Sequence, residues 1–303
     1  MSEKITVVGS MNMDLVFQVP ENPERGETVF GEAFTTAPGG KGANQAVAVG
    51  KLGGDCVFIG CCGADSFGAE LLASMKAGNV NIDNVQTVAA HTGVAGIVVE
   101  GCGDNRIIVV SGANNLLTTA MVEKHASIIR GSAILLVQLE VPQDAVIQAI
   151  NIASAAGVTV ILDPAPAMQL PESLFAKIDY LLPNEGELNK LLEHYALPTV
   201  EARIAKLLSF GVGAVVITKG GDGCEVHRAT TVNRYPAYRV EAIDTTAAGD
   251  TFAGAFATYL SQGKSEADAI DFAMAAAALS VTKLGAQVSI PTLEEVASFR
   301  AKN

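Results

Sequence analysis

A short run near the C-terminal end of the chain, Asp244-Thr245-Thr246-Ala247-Ala248-Gly249-Asp250-Thr251-Phe252, has the residue types and spacing to hold an anion beside a carboxylate. Thr245 or Thr246 is placed to cap a helix, since a hydroxyl there accepts a bond from a first-turn N–H that has no helical partner. The small residues Ala247, Ala248 and Gly249 leave neighbouring N–H groups open, and the positive end of the helix dipole favours a phosphate there. Phe252, Ala255, Phe256, Tyr259 and Leu260 recur at helical spacing as one apolar face, with Asp250 off that face near the helix mouth. Two readings stand for this run alone: an ordinary capped helix with a dipole-compensating Asp, or an anion site with an adjacent base.

A second glycine-rich segment is Pro38-Gly39-Gly40-Lys41-Gly42-Ala43-Asn44-Gln45-Ala46. Glycines at 39, 40 and 42 allow a backbone to approach a ligand closely, Asn44 can bond hydroxyls and Lys41 supplies donors. The spacing is neither that of a Walker A loop nor G-x-G-x-x-G, which weakens P-loop and dinucleotide readings. Two acids follow strand-like runs: Asp14 in Asn12-Met13-Asp14, and Glu140 in Gln138-Leu139-Glu140. A carboxylate there offers two acceptor oxygens to a diol, and ligands of parallel sheets bind beyond the strand ends; singly, each also reads as a solvated loop acid. Asn184 and Glu187 have capping-box spacing, which explains them structurally, and the acids of that segment also suit a water-mediated magnesium ion. Thr218-Lys219-Gly220-Gly221-Asp222-Gly223 reads as a hairpin turn or as a flat glycine surface against a nucleotide.

The elements that must position these residues alternate. From about residue 118 the pattern predicts helices at Met121–Ile129 and Gln143–Ala156, and buried strands at Ala133–Val137, Val158–Leu162, ending at Leu182, and at Ala214–Ile217. Continuous apolar strands between amphipathic helices imply a parallel sheet covered on both faces. Helices then follow at 248–261, about 265–283 and near 292–301. In the N-terminal third, Leu15–Pro20 with Thr28–Thr36, and Gly93–Val99 with Arg106–Val110, alternate as half-exposed strands do. They predict a small antiparallel sheet projecting over a cleft, or else an edge hairpin of the main sheet. The expected organisation is a single α/β domain over residues 1–303, with lid strands drawn from about 14–36 and 92–110.

Composition bounds the partners. The chain has 303 residues, 49% hydrophobic and 17% charged, and a net charge of −12. It is therefore long and apolar enough for a large core, and it lacks the basic patches of a nucleic-acid binder. The apolar stretch Phe272–Thr282 is too short for a membrane span and reads as a buried helix. Met1-Ser2-Glu3-Lys4 runs straight into a first strand, Ile5–Gly9, so a cytoplasmic location is expected. Cys56, Cys61, Cys62, Cys102 and Cys224 lack zinc-type spacing and are expected to be reduced core thiols.

Taken together, these residues resemble the ribokinase-like carbohydrate kinases of the phosphofructokinase-B family. The two glycine segments carry the resemblance. Gly9–Asp14, Gln138–Glu140, Asp163-Pro164-Ala165-Pro166, Asn184–Glu187, Thr218–Gly223 and Gly285-Ala286-Gln287 support it along nearly the whole length. The resemblance implies an α/β three-layer sandwich with a mostly parallel central sheet and a small projecting β-sheet lid. It implies transfer of the ATP γ-phosphoryl to a sugar hydroxymethyl, with the 5-hydroxyl of D-ribose as the leading acceptor. Deoxyribose, fructose or a nucleoside are the alternatives within the family, and a non-catalytic sugar-binding protein is the alternative outside its chemistry. Asp250 matches the general base, and Ala247, Ala248 and Gly249 the anion hole. Asn12, Asp14, Gly40, Lys41, Gly42, Asn44 and Glu140, with Asp250, match sugar-contacting positions. Asn184, Thr218, Lys219, Gly220, Gly221, Asp222, Gly223 and Gly249 match nucleotide-contacting ones, and Glu187 a position linked to Mg²⁺ through water. Asp244, Thr246, Ser280, Lys283, Gly285 and Ser289 match a monovalent-cation (K⁺) site. The implied partners are a sugar and ATP, without nucleic acid or membrane, and a homodimer formed through the lid. Met274 falls where relatives can carry a polar residue near the adenine.

Overall fold

A computed structural model of the chain describes residues 3–101 and 105–303. In chain order the strands are β1 Lys4–Val8, β2 Asn12–Val19, β3 Ala33–Gly39, β4 Asp55–Gly63, β5 Val80–Val88, β6 Gly93–Glu100, β7 Asn105–Val110, β8 Ile134–Val137, β9 Thr159–Leu162, β10 Tyr180–Leu181, β11 Ala214–Thr218, β12 Cys224–His227 and β13 Val232–Tyr235. The α-helices are α1 Lys41–Lys51, α2 Ser66–Ala77, α3 Thr119–Lys124, α4 Ala126–Arg130, α5 Gln143–Ala155, α6 Glu172–Phe175, α7 Glu185–Leu191, α8 Val200–Ser209, α9 Ala248–Ser261, α10 Glu266–Ser280 and α11 Leu293–Arg300. Among the described residues one sheet has the order β13-β12-β11-β10-β9-β8-β1-β4-β5 and a second has the order β3-β2-β6-β7.

The large sheet is parallel from β5 to β11, and β12 and β13 add an antiparallel edge. Its inner strands β8, β9 and β11 are apolar on both faces because helices cover both, whereas the edge strands β5 and β13 are more polar and more exposed. The period of two divides their side chains cleanly. Ile134 and Leu136 of β8 join Ile5, Val7 and the buried residues of α1, α9 and α10 in one core. Leu135 and Val137 join Val8 and the buried residues of α5 and α8 in the other. This is the expected three-layer sandwich.

The polar, alternating strands of the N-terminal third form the separate sheet and not an edge hairpin. Its outer pairs, β2/β3 and β6/β7, are antiparallel as expected, while the central pair β2/β6 runs parallel. The segment 28–32, expected to be strand, precedes β3 as irregular chain. The expected helix Met121–Ile129 is divided into α3 and α4 at His125, whose φ −102° and ψ 13° lie outside the helical region. Cys56, Cys61, Cys62 and Cys224 are buried free thiols, and burial pushes the Cys61 thiol up to about 11; Cys102 lies outside the described residues.

The site depends on close contact between α1 and α9. A Cβ on Gly254 of α9 would meet Ala48 Cβ at 2.5 Å, Gln45 O at 2.7 Å and Val49 N at 3.1 Å. Two of these atoms are α1 backbone, so relief requires the helices to part. Gly254→Ala is expected to lower stability by about 1–3 kcal/mol, the usual cost of overpacking. An unchanged denaturant midpoint would show that the helices separate freely.

Candidate active site

The first turn of α9 is built differently from the sequence expectation. Neither Thr245 nor Thr246 caps it. Thr246 donates both its N–H (2.9 Å) and its hydroxyl (2.6 Å) to Asp244 Oδ1, because the carboxylate two residues earlier is the stronger acceptor. The N-cap is Ala247 in the left-handed region, φ 59°, with no side-chain cap. A Cβ on Gly249 would meet no atom within 4 Å. The helix therefore starts with its positive end uncovered toward a cavity of about 200 Å³. Ala247, Ala248, Gly249 and Asp250 line this cavity together with Lys41 and Asp163.

Asp250 is buried, and two consecutive residues of α1 grip it. Asn44 Nδ2 donates to Oδ2 at 2.9 Å and Gln45 Nε2 to Oδ1 at 3.1 Å. Gln45 Nε2 also donates to Asp163 Oδ2 at 2.7 Å. Burial, with Asp250 and Glu187 nearby, pushes the Asp163 carboxyl up to about 7 against the opposing pull of Lys41. Burial alone would lower the Lys41 ammonium, but the carboxylates Asp250, Asp163, Glu140 and Glu187 outweigh it and hold the group above its usual range.

On the lid side, the β2/β3 register sets Asn12 opposite Gly39 and Asp14 opposite Ala37. A Cβ on Gly39 would meet Asp14 Oδ2 at 2.3 Å, so the glycine leaves room for that carboxylate. Gly40, at φ 87°, caps α1, and a Cβ there would strike Asn12 N at 2.6 Å and Met11 Cα at 2.8 Å. Glu140 Oε2 accepts from Ser10 Oγ (2.6 Å), Lys41 N (3.1 Å) and Asn12 Nδ2 (3.5 Å). Burial raises the Asp14 carboxyl to about 7, with repulsion from Glu140 and Asp250 adding to it. Asn44 Oδ1 is buried without a protein partner. Gly42 is packed against the backbone of Gly9 and Ser10 and donates its N–H to Ser10 Oγ at 3.3 Å, so packing is enough to require a glycine there.

On the other side of the cavity, Asn184 and Thr218 form a parallel bridge and both line it, as does Glu187. The capping box is present: Glu187 N donates to Asn184 Oδ1 and Asn184 N to Glu187 Oε2. Thr218–Gly223 is the β11/β12 turn, and beyond Thr218 its residues do not line this cavity. Lys219 Nζ is paired with Glu225 Oε1 at 3.0 Å. Gly220 and Gly221 face open space, whereas Gly223, at φ 97°, is confined by Tyr235 O and is required by the turn. Met274 lines a separate cavity of about 290 Å³ with Tyr235, Pro236, Ala237, Tyr238 and Asp271.

The residues matched to a monovalent-cation site come together only in part. Asp244 joins two loops: Oδ2 accepts from Gly285 N at 2.8 Å, and its own N–H donates to Val281 O. Although burial opposes it, hydrogen bonds from Thr246 and Gly285 hold the Asp244 carboxyl below the usual range, so it is an anion at neutral pH. Ser280 and Ser289 bond their hydroxyls to Ala277 O and Ala286 O, which leaves them to contribute through the backbone. Lys283 Nζ reaches Glu295 instead.

The sequence reading assigned no role to Ser10, Gln45, Asn114, Gln138 or Asp163. Asn114 lies 102 residues from Asn12 in sequence but donates to Asn12 Oδ1 at 2.8 Å and accepts from Met11 N at 3.0 Å, so it orients Asn12. A lone Asn in an irregular stretch carries no signal of that contact. Asp163, in Asp163-Pro164, did carry one: an acid directly after a continuous apolar strand.

Residues 2–293 match the pfkB family carbohydrate kinases. The chain is 44% identical to a ribokinase of Schizosaccharomyces pombe, with 98% of each covered. Among solved structures, a ribokinase from Thermotoga maritima superposes with a TM-score of 0.93 at 40% identity, covering 99% of this chain and 100% of that one. Arabidopsis thaliana ribokinase complexed with ribose and ATP gives 0.92 at 34% identity, with 99% of each chain covered. Match length, identity and superposed fold agree, and the chain belongs to the pfkB family of carbohydrate kinases.

Proposed function

We propose that this protein transfers the γ-phosphoryl group of ATP to the 5-hydroxyl of D-ribose, giving ribose 5-phosphate. The observation that carries the reading is one cavity that joins the Asp250 carboxylate, the uncovered start of α9, and Asn184 with Thr218. The solved relative that holds ribose and ATP supports the choice of both ligands.

In this reading Asp250 accepts the proton of the attacking hydroxyl. The N–H groups around Ala247, Ala248 and Gly249 stabilise charge on the transferring group, which passes through a loose transition state where positioning and electrostatics dominate. Asp14, Glu140, Asn12 and Asn44, with Gly40, Lys41 and the backbone of Gly42, hold the sugar. Asn184, Gly249 and the turn Thr218–Gly223 hold the nucleotide, the turn through its open glycine surface. Glu187, acting through water, would hold Mg²⁺ beside the phosphates, where the ion would neutralise phosphate charge. The anionic Asp244, with the two loops it joins, fits K⁺ as an activator that orders the start of α9.

The exposed apolar residues Ile107, Ile108, Val109 and Val110 of β7 support a homodimer formed through the lid. The lid is best taken as an excursion of a single domain. A cytoplasmic location fits a kinase of ATP, and among the described residues no helix is long and apolar enough to cross a membrane.

A coupled assay for ADP, run with ATP and Mg²⁺ against ribose, deoxyribose, fructose and nucleosides, with and without K⁺, tests the reading. Ribose is expected to give the highest kcat/KM, and K⁺ to raise it. Ribose binding without ADP release in a folded protein would instead support a sugar-binding protein.

A further inference from the structure

Gln45 follows Asn44 on α1 and has no place in the sugar or nucleotide contacts above. It is fully buried, and its amide has three partners. Nε2 donates to Asp250 Oδ1 at 3.1 Å and to Asp163 Oδ2 at 2.7 Å, while Oε1 accepts from Gln138 Nε2. The orientation is determined by chemistry. An ionised Asp250 oxygen only accepts, so the Gln45 nitrogen must face it, and the amide of Gln138 then meets the oxygen. Gly9 leaves Gln138 the space it needs: a Cβ there would meet Gln138 Oε1 at 2.2 Å, and that oxygen is buried without a hydrogen-bond partner, so Gln138 is fixed by packing and by its bond to Gln45. A continuous buried chain of contacts thus runs from the end of β1, through Gln138 after β8, to Asp250 on α9.

We infer that Gln45 is a positioning residue for the reaction. It holds Asp250 Oδ1, so that Oδ2, on the side of Asn44, is the oxygen presented to the attacking hydroxyl. This rests on the kinase reading of Asp250. Asn44 cannot do the same work alone, because one donor leaves the carboxylate free to turn about its last bond, and small displacements of a reacting group cost large factors in rate. The charged groups facing Asp250 are Lys41 from α1, Asp14 from β2 and Asp163 from the end of β9. Among these neighbours Gln45 is a neutral donor that favours the ionised carboxylate.

The test is Gln45→Met in the full chain, which keeps length and volume but removes both donors. At saturating ribose, kcat is expected to fall about 10–50-fold, within the range for a misplaced reacting group. The KM for ribose should stay within about threefold, since the sugar contacts remain. The acid limb of the kcat profile should move about one pH unit upward, because the ionised base has lost a donor. Gln138→Leu, which frees the oxygen of Gln45, should move kcat and the limb in the same direction by less, and it serves if Gln45→Met does not fold. Carbon-13 titration of the Asp250 carboxyl in the ligand-free protein reads the same coupling without turnover. An acid limb and a carboxyl titration identical to wild type in a folded variant overturn the inference, whatever the change in melting temperature. A wild-type protein that releases no ADP with any sugar overturns the kinase reading instead, and the carboxyl titration still decides whether Gln45 sets Asp250.

Discussion

Asp250→Asn is expected to lower kcat for ribose phosphorylation by about 10²–10⁴-fold, the range for loss of a positioned base. That corresponds to about 2.7–5.5 kcal/mol of transition-state stabilisation. The dissociation constant for ribose should change little. The carboxylate is held by Asn44 and Gln45, each of which donates to one of its oxygens. An Asn in its place offers one acceptor and one donor, so one of these two amides must turn its oxygen toward the new N–H, which Asn44, with its Oδ1 otherwise unpartnered, can do. The local network loosens, but the proposed sugar contacts Asp14, Glu140 and Asn12 remain. The uncovered start of α9 also survives, so the residual rate measures what the anion site achieves alone. Single-turnover kinetics with calorimetric ribose binding separate the two contributions. A folded Asp250→Asn enzyme with near-normal turnover would mean that proton transfer to solvent suffices and that Asp250 is not the base.

The sequence was most legible where local pattern and burial agree. The α9 span was predicted as 248–261 and found as Ala248–Ser261, because an apolar face and a small-residue entry both mark it. The parallel sheet was legible for the same reason: strands buried on both faces must be continuous apolar runs. The lid was legible as strands, but its parallel centre was not, since pairing partners so distant in sequence leave no periodic trace. The Thr cap failed because propensity treats each hydroxyl alone, whereas Asp244 competes for Thr246 and turns it away from the helix. The acids and glycines of the candidate site were legible by residue type. Its second contacts were not: Gln45, Gln138 and Asn114 act on other side chains, and nothing in their spacing says which. Even the glycines divide by cause. Gly39 leaves room for Asp14, Gly249 faces open space, and Gly42 and Gly223 are fixed by nearby backbone.

Ribose is expected to bind more tightly as pH rises through about 7, and Asp14 is the reason. Burial raises its carboxyl to about 7 in the ligand-free protein, with Glu140 and Asp250 contributing repulsion. Only the ionised form offers both oxygens as acceptors for two sugar hydroxyls; the protonated form donates from one. Below about 7, binding must first remove a proton, so the dissociation constant rises by up to tenfold per pH unit, and above it the dependence flattens. The sign for stability is the opposite. A carboxyl raised from 3.8 to about 7 binds more protons folded than unfolded in that window, so the ligand-free protein loses stability as pH rises through it. Asp163 acts in the same direction. Ribose should offset the Asp14 part, since the diol bonds favour the carboxylate. Asp14→Ala removes two hydrogen bonds to a charged group, each contributing about 1.5–3 kcal/mol, and should weaken ribose binding by about 10²-fold or more. It should also flatten the pH dependence, which separates Asp14 from Asp163. Calorimetry between pH 5.5 and 8.5, repeated in buffers of different ionisation enthalpy, measures both the affinity and the proton released. A wild-type affinity that ignores pH, or an Asp14→Ala protein that binds ribose as tightly, would remove Asp14 from the sugar clamp and leave Glu140 and Asn44 as its acceptors.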